Sequence, residues 1–306
     1  MSRVIQAVMT ADQRADVVKR LEKVAGVVGV SVLVGASRTP AGDIVSVQVS
    51  NDAARDVLKQ LGEAGALRGG SAVLSEPTAL IAPAGQQLID WESNEAAWEE
   101  IAALLRRDTN VGPNFLVLMA VAGAIAAVGI VEDTIHIVVG AMLLAPGFEP
   151  ILRIVFGGLT GGRGTGVGSG LWSTLTGYAA LAAGAGVSVL VLSALGRVPP
   201  DGLFALPLVQ YWTGIGITGL FVAVLAAIAG AAVVTSRRSV LAAGVMVALA
   251  LVPGMAIGGM GLALGEVTVA MKGILRWTVD ALSVAVAGGL TLGLKRWFIH
   301  RRRVED

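Results

Sequence analysis

The chain predicts an α+β cytosolic head followed by an all-α polytopic membrane domain of six spans, and three features carry that expectation. Of its 306 residues, 55% are hydrophobic and 15% charged, with a mean hydropathy of +0.75. A soluble protein of that composition lacks the polar surface to cover itself. The apolar excess is also confined: residues 1–110 hold most of the acids, whereas 114–295 are nearly continuous apolar sequence. Finally, a Pro-Gly dipeptide recurs inside two long apolar segments, at Pro146–Gly147 and Pro253–Gly254.

In the head, "RVIQAVMT" (3–10) alternates like a strand, and Val17, Val18, Leu21 and Val24 follow at helical spacing. "VVGVSVLVG" (27–35) is a second strand, "SRTPAGD" supplies turn chemistry, and "DIVSVQVS" (43–50) is a third. Asn51 or Asp52 can cap a helix carrying Val57, Leu58 and Leu61, "GEAGALRGG" stops it, and "GSAVLSE" reads as a fourth strand. The order βαββαβ is that of a ferredoxin-like domain and resembles small ACT-type regulatory domains. Such a head either packs and oligomerises or senses a ligand. The first reading is favoured, since nothing in the head forms a phosphate loop or a metal cluster.

Residues 77–93, with Pro77, Pro83 and Gly85, read as a linker. "WESNEAAWEEIAALLRR" then places Trp91, Trp98, Ile101 and Leu105 on one helical face, with acids opposite. This is the pattern of an amphipathic coupling helix on a membrane surface, and equally of a surface helix of the head.

A crossing helix needs about 20 mostly apolar residues. Six segments qualify: 114–131, 134–159, 171–195, 213–235, 239–264 and 274–294. Arg106, Arg107, Arg163, Arg237, Arg238, Lys295, Arg296 and Arg301 to Arg303 flank them on one side, against Arg197, Lys272 and Arg276 on the other. That asymmetry puts both termini in the cytoplasm by the positive-inside rule. The opening residues, "MSRVIQAVMTADQR", have no cleavable signal pattern, in keeping with a cytoplasmic head.

Displacing the chain against itself by 107 positions aligns "VEDTIHIVVGAMLLAPG" with "RSVLAAGVMVALALVPG" without a gap. Val138, Ala141, Leu144, Pro146 and Gly147 then coincide with Val245, Ala248, Leu251, Pro253 and Gly254. Glu132 and Asp133 meet Arg237 and Arg238, so the two copies enter from opposite sides, as three-span units must. The pattern is a 3+3 inverted repeat, an architecture of secondary transporters. Each proline removes a backbone donor, and the resulting break survives in a bilayer only against protein or a water-filled cavity. A kink for packing is the alternative.

The candidate binding residues are Pro146, Gly147, Glu149, Pro150, Arg153, Pro253, Gly254 and Asp280. A carboxylate at depth costs roughly 2.5–3.5 kcal/mol on insertion scales, so Glu149 pairs with Arg153 one turn on, or serves a proton or cation. Asp280, one turn after Arg276, invites the same two readings. His136 reads as interfacial, at the outer end of its span.

Several classes are excluded or disfavoured. A net charge of +1 gives no reason to expect nucleic acid. With no cysteine and two histidines there is no thiol chemistry and no convincing metal site. No serine sits in a nucleophile elbow, so the chain is not expected to be an enzyme, and no cofactor is expected. "GGLTGGRGTGVGSG" (157–170) lacks the strand and lysine of a phosphate loop and reads as an inner loop. The 41 glycines indicate close helix packing.

The interrupted segments resemble those of an uncharacterised bacterial hydrophobic-domain membrane family, domain of unknown function 389. Gly140, Ala141, Met142, Ala145, Pro146 and Pro150 match its first motif, and Gly244, Val245, Ala248, Ala250, Leu251, Val252 and Pro253 its second. The likeness covers roughly 110–265. Gly254 replaces the second proline of motif two, and "GFE" (147–149) an apolar link, so the resemblance assigns Glu149 no role. It implies a bacterial inner-membrane protein and supplies no substrate.

The expected organisation is a head (1–76), a linker and coupling helix (77–110), a membrane domain (111–300) and a basic tail (301–306). The expected function is a transporter or solute-conducting protein with a midplane site at the paired prolines. The alternative is a non-transporting sensor or scaffold with a ligand-binding head. Expected partners are the lipid bilayer, a second copy of the chain and an unidentified small solute or ion. The topology is testable: single cysteines at Thr165 and Ser236 should label from one side only, and one at Asp201 from the opposite side only.

Overall fold

The computed structural model describes residues 2–50, 53–66, 70–75, 77, 98–160, 166–236 and 249–298. The chain divides into two compact units, Met1–Trp98 and Glu99–Asp306.

The first unit contains β1 (Arg3–Met9), α1 (Ala11–Leu21), β2 (Val27–Arg38), β3 (Ala41–Val49), α2 (Ala54–Glu63) and β4 (Ala72–Ser75). The strands form one sheet in the order β2-β3-β1-β4, every neighbouring pair antiparallel. Alternation sets its inner face: Ile5, Ala7 and Met9 of β1 and Val45, Val47 and Val49 of β3 are buried. Val17 and Leu21 of α1 and Val57 and Leu61 of α2 close over them.

β2 runs three residues past the expected end at Gly35. The register slips between Leu33 and Ser37, and Gly35 adopts φ +62°. The side chain of Asp43 spans that irregularity, accepting from the Gly35 N–H at 2.7 Å and from Arg14 at 2.9 Å. A bulge absorbs the extra residues, so the strand continues where a turn was expected. The proposed caps Asn51 and Asp52 lie outside the described residues.

The second unit is helical: α3 (Trp98–Asp108), α4 (Pro113–Val131), α5 (Ile135–Leu144), α6 (Phe148–Thr160) and α7 (Val167–Ala194). After a 3-10 turn at Leu203–Ala205 come α8 (Pro207–Thr213), α9 (Ile217–Thr235), α10 (Leu251–Ala263), α11 (Val267–Ser283), a π-turn Val284–Gly288 and α12 (Gly289–Phe298). Ile101 and Leu105 of α3 are buried, as expected of its apolar stripe; Trp91 lies outside the described residues.

Four stretches are long and apolar enough to cross a membrane: Pro113–Val131, Val167–Ala194, Ile217–Thr235 and Val267–Trp297. The pair α5 and α6 adds a fifth if its 43° bend lies within one span. In the expected span 239–264 only α10 is described with its two preceding residues, and thirteen residues are too few to cross alone. Large apolar side chains cover the outside, among them Leu175, Val187, Phe221, Leu282 and Leu290. Water would reject that surface and lipid accepts it. The second unit is a membrane protein's.

Helices approach closely where glycine removes the Cβ. A Cβ on Gly123 would collide with the Leu181 carbonyl, one on Gly184 with that of Ala120, and one on Gly259 with that of Ala182. These contacts lock α4 to α7 and α7 to α10 by backbone-level packing. At one end of α7, Arg197 donates twice to Glu132, at 3.0 and 2.6 Å, and holds that carboxyl below the usual carboxylate range.

The expected loop position of Lys272 and Arg276 is corrected. α11 begins at Val267, capped by Glu266, so both cations lie inside the helix. Glu266 instead reaches across to accept from the Leu203 N–H at 2.9 and 3.1 Å.

Gly184→Leu tests the close packing. It should push α4 from α7 and cost about 1–3 kcal/mol or more by overpacking, read as loss of monodisperse protein on size-exclusion chromatography. Gly168→Leu, which meets open space, should leave the elution profile unchanged.

A broken helix and its buried polar partners

Pro146 lies between α5 and α6, with Ala145 already extended (φ −81°, ψ 124°). The helix stops as expected for a residue preceding proline. In the gap, the Gly147 carbonyl accepts from the buried Tyr178 hydroxyl at 3.0 Å. Tyr178 comes from near the middle of α7 and makes an edge-to-face contact with Trp277 of α11, ring centroids 5.0 Å apart.

Trp277 in turn backs onto the second Pro-Gly. A Cβ on Gly254 would lie 3.2 Å from both the Trp277 nitrogen and the Gly273 carbonyl. Gly147 is thus linked through the Tyr178 hydroxyl and ring to Trp277, whose backbone nitrogen lies against Gly254. The sequence did not single out either aromatic residue. A lone tyrosine amid the small residues of "TGYAALAAG" was the available signal, because a phenol at that depth needs an acceptor.

The two Pro-Gly sites differ in structure: Pro146 lies between two helices, and Pro253 lies inside the first turn of one. Pro253 is the third residue of α10, a first-turn position where a missing N–H leaves no bond unmade. What precedes Leu249 lies outside the described residues. The exposed backbone group here is a donor: the Ala250 N–H gives a 2.6 Å hydrogen bond to Asp280 Oδ2. Asp280 is fully buried and faces Arg276 at 3.2 Å, so the expected pair forms. Arg276 also donates to the Gly214 carbonyl at 2.9 Å, between α8 and α9. One ion pair thus fastens the starts of α9 and α10 to α11.

Glu149 and Arg153 do not pair. Arg153 turns away from Glu149 and donates to Thr109 Oγ1 at 2.8 Å, in the link between α3 and α4. Glu149 occupies the first turn of α6, where the helix dipole favours an anion. Its Oε2 is enclosed and has no hydrogen-bond partner among the described residues. Glu149 and Asp280 both lie within electrostatic range of the Tyr178 hydroxyl. Pro150 is buried in the first turn of α6, again at a position that tolerates proline. His136 is exposed near the start of α5. Among the described residues no group of three metal-ligating side chains exists.

A membrane protein with an interrupted helix, its loose ends held by buried tyrosine and aspartate, is the class this geometry defines. Residues 142–286 match the family described as Domain of unknown function (DUF389). The match contains Pro146, Tyr178, Pro253, Trp277 and Asp280. No curated protein and no solved structure matches the chain.

The ion pair gives a test of the scaffold. Asp280→Asn leaves the Arg276 guanidinium buried without its carboxylate and should cost about 3–5 kcal/mol, measured by thermal unfolding in detergent. Adding Arg276→Met should recover most of the loss.

Proposed function

We propose that this protein conducts or transports a small cation or proton through a site at the α5–α6 break, built from the Gly147 carbonyl, Glu149 and Tyr178. The carrying observation is the enclosed, unpartnered Glu149 Oε2 in the first turn after that break. A carboxylate there repays its insertion cost only through a proton or a cation. The neighbouring charges do not serve it: Arg153 is engaged by Thr109, and Arg276 by Asp280. Pro253, Gly254 and Asp280 form the opposite wall, reached through Trp277.

Six spans and a 3+3 inverted repeat complete this reading, and the helical order supports them. Each half opens with a short helix (α3, α8), then a glycine N-cap (Gly112, Gly216) and a first long helix (α4, α9). In each half the third long element also holds the carbonyl just ahead of the first. Ser173 of α7 donates to Thr109, and Arg276 of α11 to Gly214. The head is read as a ferredoxin-like, ACT-like regulatory or oligomerising domain, supported by its βαββαβ order and the strand order β2-β3-β1-β4. The protein then sits in the bacterial inner membrane as a homo-oligomer, both termini cytoplasmic.

The backbone-close packing of α7 against α10 favours a second reading, a non-transporting sensor or scaffold. Flux separates the two. In proteoliposomes with an internal pH or cation indicator, wild type should dissipate an imposed gradient, and Glu149→Gln should slow it at least about tenfold, ~1.4 kcal/mol in barrier. Folded yield should stay unchanged, since no salt bridge is lost. Equal flux in wild type, Glu149→Gln and empty liposomes would support the sensor.

A further inference from the structure

The glycine-rich segment before α7 lacks the strand and lysine of a phosphate loop, yet α7 begins beside a buried cation. Arg153 is 9% exposed, and its Nε has no hydrogen-bond partner. No carboxylate lies within ion-pair distance of it among the described residues, and the neighbouring charge is another cation, Arg106. A guanidinium does not shed its proton, so it requires a counter-charge. Among the described residues, the hydrogen-bond acceptor of Arg153 is the Thr109 hydroxyl.

The space beside Arg153 is the N-terminus of α7. Gly166, the N-cap, has φ +120°, and a Cβ there would lie 3.0 Å from Arg153 Nε and 3.3 Å from Ser169 Oγ. No side chain caps the first turn of this 28-residue helix. Gly168, one residue into it, meets open space. Thr109 fixes the guanidinium from the other side, accepting from Nη1 while giving its own proton to the Leu105 carbonyl. A buried guanidinium with a spare N–H thus lies against an uncapped helix start, beside the Ser169 hydroxyl, which donates to the Gly166 carbonyl at 3.3 Å. That donor set fits a tetrahedral oxyanion.

We propose that Arg153, Ser169 and the first turn of α7 bind a phosphate group, carried by an anionic phospholipid headgroup or by a free phosphate. The site is separate from the α5–α6 break and does not rest on the transport reading. The bound anion supplies Arg153's missing counter-charge and ties α6 to α7.

The test is thermal unfolding of the full chain in neutral detergent at constant ionic strength. One arm titrates inorganic phosphate against chloride, and the other compares micelles doped with phosphatidylglycerol or phosphatidylcholine. Wild type should show a saturable rise of a few degrees with phosphate, with phosphatidylglycerol or with both, and the responding arm identifies the source. Arg153→Gln should abolish the rise. Gly168→Asp places a carboxylate in the open space by the helix start. It should raise the unfolding temperature without added anion and remove any further gain, deciding the matter even if Arg153→Gln fails to fold. No rise in wild type with either probe, or an undiminished rise in Gly168→Asp, overturns the proposal.

Discussion

Hydrocarbon offers no hydrogen bonds, so every backbone group that a helix break exposes must be satisfied from within the protein. The second unit meets that constraint repeatedly with side chains from other helices. Tyr178 closes the Gly147 carbonyl, Asp280 the Ala250 N–H, Arg276 the Gly214 carbonyl and Glu266 the Leu203 N–H. Each contact spans between 30 and 63 residues of sequence and fixes the end of one helix to the side or end of another. The arrangement of the unit follows from these closures. They also explain the placement of polar residues in segments that composition alone would make featureless.

Glycine makes the closures reachable. With helix backbones in contact at Gly123, Gly184 and Gly259, α7 lies close enough to both α4 and α10 for one tyrosine in it to reach the break. Larger residues at those crossings would move the phenol beyond hydrogen-bonding distance of Gly147. Packing and polar satisfaction are therefore one device: the small residues set distances that the few polar side chains then use. Glu149 differs from these groups in that its Oε2 has no hydrogen-bond partner among the described residues.

Much of this was legible in the sequence. Alternation gave the strands of the head, because one face is buried and a slip of one residue would expose it. Apolar length gave the long helices, and proline gave the interruption between α5 and α6. Pro146 stands between two helices and Pro253 in the first turn of one, a difference that neighbours along the chain do not reveal. One-turn spacing offered Arg153 as a partner for Glu149, one of two readings, whereas the structure engages it with Thr109, 44 residues earlier. Tyr178 and Trp277 stayed hidden because an aromatic residue inside an apolar run also fits a lipid-facing position. Long-range hydrogen bonding separates these cases, and spacing cannot express it.

The π-turn Val284–Gly288 gives the last long helix two working faces. Before it, α11 lays Gly273 against α10; after it, Gly288 and Gly289 meet Leu152 and Val155 of α6. A π-turn accommodates one extra residue without breaking the helix, and one residue corresponds to about 100° of rotation in an α-helix. The wide turn thus acts as an angular offset, like the set of a bent key. Asp280 and Arg276 stay aimed at α9 and α10 while the following stretch turns toward α6. Removing one residue between 284 and 288 would restore an unbroken α-helix and force a choice between the two faces.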